Sequence, residues 1–298
     1  MNNYPIINRR SPPKKVIEFF REFGFVLVED SLFGEEKIIS YFQEMKMFFD
    51  RFRREKAGYY LVENSVYGVY IPSGYEHVSR ELLDTKEIFD VFHRESYTYE
   101  YYEAYNHKFG FRGRSPGPLD DPFLSGVLSQ VRKNIFSVFE GLLKIFSAEL
   151  GGFDFGLVKK TNYLFRLIHY PPIIDSNRKI TRLGAHVDDD LLALVIAENM
   201  DGLKIKTPSY GWLRIPDLKG FFVVLIGAGL EFISEGAFKG TEHRVDGEEG
   251  SSHSRHVFNI NIGSDLDFTR KSETGKVLDI SKYYRRRFSK YSLNTQHL

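Results

Sequence analysis

The stretch GAHVDDDLLALV (184–195) sets an imidazole and three successive carboxylates directly against an apolar run. Such a cluster is either an acidic, solvated loop or a place where His186 and one carboxylate hold something that needs both. In an extended chain, residues two apart share a face. His186 and Asp188 can therefore point together into a cavity while Val187 points away. TEHRVDG (241–247) supplies a second imidazole, His243, 57 residues downstream (243 − 186) and after an apolar strand. Two histidines and one carboxylate on one side of a metal leave its opposite side open. That suits iron(II) oxygen chemistry, in which co-substrate and dioxygen need vacant positions; a closed structural zinc site needs a fourth ligand. A lone H-x-D occurs by chance. The distal histidine, with Arg255 a further 12 residues on (255 − 243), makes the set more specific.

Composition narrows the alternatives. The 298 residues contain no cysteine, which excludes disulfides, thiolate zinc sites, iron–sulfur clusters and cysteine nucleophiles. His, Asp and Glu remain as the strong metal ligands. Formal net charge is +1, which gives no reason to expect nucleic acid or an anionic membrane as a partner. No N-terminal stretch reads as a signal peptide, and no apolar run approaches the ~20 residues of a membrane span. A soluble, cytoplasmic monomer acting on a small molecule is expected.

The elements that must position these residues fall into two textures. YPIIN (4–8) reads as a short strand. SPPKKVIEFFREFGFVLVED (11–30) reads as a proline-started amphipathic helix, a stop at Gly24 and a strand. Apolar residues at spacings of three and four mark helices over 35–57 and from Val127 to Leu150, the latter stopped by Gly151-Gly152. Residues 58–80 and 98–121 read as irregular. After about 155 come short β-branched and aromatic runs: NYLFRLIHY, LLALVIA, LKIKT, FFVVLIGAGLEFI and HVFNINI. Their spacing suggests a sandwich or barrel. VLDISKYYRRRFSKY (277–291) reads as a basic amphipathic helix. One domain is expected, an α+β arrangement with a mainly β core backed by helices: an N-terminal mixed region (1–95), a helical layer (96–154), the β core (155–270) and a C-terminal helix (275–295).

An ordered series of segments resembles the iron(II)/2-oxoglutarate-dependent oxygenases, in the branch that includes isopenicillin N synthase. The series is YPIIN, REFGFVLVED, FFDRFRREKAGY, DTKEIFDVF (84–92), FRLIHYPP (165–172), AHVDDDLLALV, and the run from Gly202 to Val245 that ends at the distal histidine. The resemblance implies a distorted jelly roll, the double-stranded β-helix. It implies iron(II) on His186, Asp188 and His243, with 2-oxoglutarate as co-substrate and dioxygen as oxidant. The outcome would be hydroxylation, desaturation or cyclisation at an unactivated C–H bond of a small molecule, such as an amino-acid derivative or specialised metabolite.

Two positions depart from the family pattern. The family's R-x-S stretch is here Arg255-His256-Val257, with the arginine present and the hydroxyl absent. Its N-x-Y stretch is Ile168-His169-Tyr170, with the tyrosine present and the asparagine absent. Arg255 and Tyr170 are thus the implied co-substrate residues. Arg255 can still form a bidentate pair with a carboxylate, and one lost hydroxyl bond costs roughly 1 kcal/mol. The departures keep open an iron-dependent oxidase of the same fold that uses no 2-oxoglutarate. A non-catalytic metal- or ligand-binding sandwich and a zinc or cupin-type hydrolase are more distant readings.

Other positions carry weaker readings. Asp189 faces outward, and Asp190 contacts a cationic substrate group or solvent. His253 and His256 are loop and strand residues rather than ligands, and His169 points into packing or solvent. Arg166 and Arg182 serve salt bridges or an acidic substrate. Tyr67, Tyr70, Tyr97, Tyr99 and Tyr163 are pocket candidates.

Overall fold

The computed structural model describes residues 4–29, 35–51, 70–74, 84–92, 122–152, 163–173, 181–200, 202–218, 220–247, 253–264, 268–272 and 274–288. The expected turn segment 98–121 and the pocket candidates Tyr67, Tyr97 and Tyr99 lie outside these residues.

Local chemistry accounts for the first elements. Helix α1 (Pro13–Phe23) begins with proline in its first turn, where a missing N–H costs nothing. It ends at Gly24, whose left-handed φ of 77° lets its N–H reach the Phe20 carbonyl oxygen. Its apolar stripe, Val16, Ile17, Phe20 and Phe23, is buried. Strand β1 (Ile6–Ile7) pairs in parallel with β2 (Phe25–Glu29). Helix α2 spans Glu35–Phe49 and α3 spans Pro122–Glu149. Gly151 and Gly152 follow α3 with φ of 91° and 77°, a stop that L side chains rarely permit.

The strands form two facing sheets. The larger sheet contains, beside β1 and β2, β3 (Tyr70–Ile71), β4 (Glu87–Phe92), β5 (Tyr163–Tyr170), β7 (Leu192–Ala197), β10 (Phe221–Ile226) and β12 (Arg255–Ile262), in the order β1-β2-β10-β7-β12-β5-β4-β3. The smaller contains β6 (Thr181–His186), β8 (Leu203–Thr207), β9 (Gly211–Arg214) and β11 (His243–Asp246), in the order β6-β11-β8-β9. The N-terminal strands thus extend the larger sheet at both edges. Two cores result. Val26, Val224, Leu194, Phe258 and Ile260 on one face of the larger sheet pack with Phe20, Met45, Phe139 and Phe146 of the helices. Val195, Val223, Ile168 and Val257 on the opposite face pack with Leu183, Leu203, Ile205 and Val245 of the smaller sheet. The architecture is a distorted jelly roll backed by helices.

The run FFVVLIGAGLEFI does not continue as one strand. It breaks at Gly227 into β10 and helix α4 (Ala228–Ile233). A Cβ built on Gly227 would lie 2.0 Å from the Asp190 carbonyl oxygen, so the chain must be bare there. The C-terminal segment differs at its start: Val277–Asp279 is strand β14, paired with β13 (Thr269–Lys271), and helix α5 covers only Ile280–Phe288. Residues 84–92, legible only through a resemblance, hold strand β4. Among the described residues no helix is long and apolar enough to cross a membrane.

Candidate metal centre

His186 ends β6 and His243 begins β11, and the two are direct cross-strand partners. His243 also partners Ile205 of β8, whose side chain lies in the core between the sheets. Both imidazoles therefore face the interior of the sandwich. The pairing of β6 with β11 shifts between His243 and Val245. This bulge lets both Leu183 and His186, three apart, serve the inner face. Asp188 lies beyond the end of β6, so the turn after the strand, not strand alternation, brings its carboxylate to the histidines.

The three side chains converge. One donor atom from each of His186, Asp188 and His243 lies within 4.8 Å of the others. His186 Nε2 stands 3.4 Å from Asp188 Oδ1, and His243 Nε2 stands 3.8 Å from Asp188 Oδ2. Ligand atoms held about 2.1 Å from one ion stand about 3–3.5 Å apart, so little adjustment is needed. The second ring nitrogens settle the tautomers. His186 Nδ1 donates to the Gly184 carbonyl oxygen at 2.9 Å, and His243 Nδ1 donates to that of Thr241 at 3.1 Å. A carbonyl only accepts, so the protons sit on Nδ1 and both Nε2 lone pairs aim at the shared point. Asp188 Oδ2 is buried and, among the described residues, lacks a hydrogen-bond partner. A buried carboxylate oxygen left in this state is costly unless a cation meets it. The donor set fits a divalent metal with an open side.

For Asp188 and His243 the electrostatics agree with that geometry. Burial works against the Asp188 carboxylate, but His243 and His186 outweigh it and hold its pKa at about 2. Burial, then the neighbouring His186, pushes His243 down to about 4, the neutral form a metal ligand requires. Burial also disfavours charge on His186, yet its contact with Asp188 lifts its pKa above the ordinary value.

The turn carrying Asp188 is held from two sides. On one, backbone N–H groups at the start of α4 donate to it: Ala228 to the Asp188 carbonyl oxygen (2.7 Å) and Gly229 to that of Asp190 (3.0 Å). On the other, α5 reaches across. The Arg287 guanidinium pairs with Asp189 and donates to the Val187 carbonyl oxygen (3.1 Å), and the Tyr284 hydroxyl donates to Asp190 Oδ1 (3.1 Å). Asp190 thus meets the protein's own tyrosine, where solvent or a cationic substrate group was expected. Burial, then Asp189, pushes its carboxyl up to about 7.

Arg255 and Tyr170 sit opposite each other at the ends of β12 and β5, both buried on the inner face. Arg255 Nε donates to the Asn199 carbonyl oxygen at 2.9 Å, and its guanidinium lies 5.3 Å from the centre of the Tyr170 ring. Burial pushes the Tyr170 hydroxyl up, and the charges of Arg255, Lys86, Asp84 and Arg182 all act on it. Asp84 and Lys86 were not among the expected site residues. They form a buried pair (2.8 Å), and Asp84 also accepts from the Gly184 N–H (3.1 Å), next to the β6 end that carries His186. The inward alternation Lys86, Ile88, Asp90 in DTKEIFD was their available signal.

The remaining candidates separate cleanly. Arg166 makes a two-pronged pair with Asp90, both bonds 2.9 Å. Arg182 is buried and donates to the His253 carbonyl oxygen, while His253 itself is exposed. His169 and His256 stack at 4.6 Å and pack beside Phe49 of α2, on the helix side of the sheet. Tyr70 is buried in the core between sheet and helices, away from the inner face. Nothing is described of the Tyr163 side chain.

Comparison with known proteins agrees with this arrangement. Residues 161–264 match the model of the 2OG-Fe(II) oxygenase superfamily. Gibberellin 2-beta-dioxygenase 1 of Arabidopsis thaliana is 29% identical over 140 residues, covering 44% of this chain and 42% of that protein. The 2-oxoglutarate-dependent dioxygenase 19 of Oryza sativa subsp. japonica is 35% identical, over 33% of this chain and 28% of its own. The chain thus spans less than half the length of these curated relatives. Among solved structures, a 2OG-Fe(II) oxygenase family protein from Caulobacter crescentus superposes with a TM-score of 0.78 at 19% identity, over 97% of this chain and 99% of its own. The 2-oxoglutarate complex of AtDAO1, a dioxygenase for auxin oxidation from Arabidopsis thaliana, superposes at 0.65 with 16% identity, over 89% of this chain and 94% of its own.

Proposed function

We propose that the chain is an iron(II)- and 2-oxoglutarate-dependent oxygenase of a small molecule, a reading supported by the match of residues 161–264 to the 2OG-Fe(II) oxygenase superfamily. The observation that carries the reading is the meeting of two correctly tautomerised imidazoles with an orphaned, buried carboxylate oxygen. His186, Asp188 and His243 are the residues that would hold iron(II). When bound, iron(II) with 2-oxoglutarate and dioxygen supplies an oxidant strong enough for an unactivated C–H bond, releasing succinate and carbon dioxide.

The chain's own residues do the remaining work. His186 and His243 keep their Nδ1 protons on backbone carbonyls, so each presents a lone pair and stays oriented. Asp188 supplies the balancing negative charge. Arg255 offers a planar fork to a carboxylate at the far end of the inner face, and the Tyr170 ring supports it. The apolar rows between the sheets exclude water, which strengthens that charge pairing. The name of the Arabidopsis thaliana relative speaks of gibberellin, which supports a small-molecule substrate.

Anaerobic titration of the iron(II) protein with 2-oxoglutarate tests the proposal. A weak visible charge-transfer band and equimolar succinate on turnover are expected. Oxygen uptake without succinate would replace it with an oxidase that holds the substrate's own carboxylate on Arg255.

A further inference from the structure

Strand β12 lies in the middle of the larger sheet, hydrogen-bonded to β5 on one side and β7 on the other. Its inward positions are Arg255, Val257, Asn259 and Asn261. Asparagine is disfavoured inside strands, and a central strand facing a core ordinarily carries valine or isoleucine there. Both asparagines are buried, with 8% and 7% exposure. Among the described residues, neither side-chain carbonyl oxygen has a hydrogen-bond partner. The backbone ladder is complete without them, so strand pairing does not require these side-chain oxygens. Burying an acceptor with no donor lowers stability.

Their neighbours show what they face. Asn259 is the direct partner of Arg166 and Val195, and Asn261 of Leu164 and Ala193; Val195 and Ala193 belong to the core between the sheets. The metal triad faces that same interior from the opposite sheet. Arg166 also acts electrostatically on Asp188. Beyond Asn261, the Ile262 carbonyl oxygen accepts from the Leu191 N–H (2.8 Å), which ties this end of β12 to the turn bearing Asp188. Along the inner face, β12 therefore runs from Arg255 to an end tied to the turn bearing Asp188, with the two amides toward that end.

We infer that Asn259 and Asn261 are substrate-recognition residues, whose side-chain oxygens accept from a neutral small molecule presenting two N–H donors along one edge, as a ureide does. This rests on the oxygenase reading above. Neutrality follows because the cation in that row, Arg166, is already matched by Asp90. Two acceptors set two residues apart on a strand lie roughly 7 Å from each other. They read an edge rather than a single atom. A purely hydrocarbon substrate would leave both oxygens as unsatisfied as they are without it.

The test uses the full chain loaded with manganese(II) and 2-oxoglutarate, and measures binding of hydantoin and 2-imidazolidinone against their N,N′-dimethylated counterparts by ligand-observed NMR. Wild type is expected to bind the parents at least tenfold more tightly. That ratio should fall to about one in the Asn259→Leu/Asn261→Leu double variant. The metal-free melting temperature of that variant should equal or exceed that of wild type. Should the leucine variant misfold, the Asn259→Ala/Asn261→Ala pair carries the same expected loss of ratio. Equal binding of parents and N-methylated compounds, no binding of any, or a ratio unchanged in the double variant overturns the inference. Calorimetric binding of 2-oxoglutarate separates the two levels. If the keto acid binds and the N–H preference is absent, this inference alone fails; if the keto acid does not bind, the oxygenase reading fails with it.

Discussion

Ile168 of β5 and Val257 of β12 stand directly opposite each other on the inner face of the larger sheet. They continue a row formed by Ile71, Ile88 and Ala197 across five adjacent strands. These are the two positions at which the family pattern carries a polar side chain. Their replacement is therefore one packed apolar patch rather than two separate losses, and it lies one row from Arg255 and Tyr170.

Val257→Ser should restore a hydroxyl beside Arg255. By the usual net value of about 1 kcal/mol per hydrogen bond, 2-oxoglutarate should bind several-fold more tightly to the manganese(II) protein. Losing the packed methyls should lower stability by about 1–2 kcal/mol. Calorimetry and urea unfolding check the two halves; weaker keto-acid binding would show that the patch contacts the ligand directly.

Arg255→Met should cost the keto acid roughly thirtyfold or more in affinity, since truncating one partner of a buried charge pair costs about 2–5 kcal/mol. Arg255→Lys should recover part of it, because the charge returns without the fork. Identical affinities for the two variants would remove Arg255 from carboxylate binding.

Asp188→Ala, His186→Ala and His243→Ala should each abolish stoichiometric iron(II) binding, read as metal content after anaerobic loading. Stoichiometric iron(II) retained in any one of the three variants would remove that residue from the ligand set.

Arg287→Ala removes a brace on the turn that carries Asp188, through Asp189 and the Val187 carbonyl oxygen. Losing an outer support of this kind typically costs about 10–100-fold in metal affinity. Competition against a chelator measures it, with unchanged circular dichroism as the control. Unaltered affinity would show that the donors from α4 hold the turn alone.

His256 gives a pH prediction. Burial, then the stacked His169, pushes its pKa down to about 4, while Glu198 and Lys46 act on it in opposite senses. Since its native pKa lies below the unfolded value, the unfolded chain takes up a proton first. Stability should therefore fall as pH drops from about 6.5 toward 4, and level off below that. His256→Phe, which keeps a ring against Phe49, should flatten this part of a melting-temperature profile; an unchanged slope would assign the loss to carboxylates alone.

Much of this protein was legible along the chain. The helix stripe of α1 and its glycine stop, the β-branched runs of the core strands, and the pairing of His186 with Asp188 and a distal His243 are local patterns, governed by periodicity, turn chemistry and side-chain type. Tertiary structure decided the rest. Gly227 divides an apolar run because the Asp190 carbonyl oxygen occupies the space of a Cβ. A bulge, not simple alternation, turns His186 inward. Helix α5 grips the turn carrying Asp188 from 94 to 100 residues away in the chain. The burial of the Lys86–Asp84 pair and of the two asparagines of β12 follows from strand register. Local spacing determines which face a side chain shares with its neighbours. Only the pairing of distant strands determines whether that face meets water, a packed core or a reacting molecule.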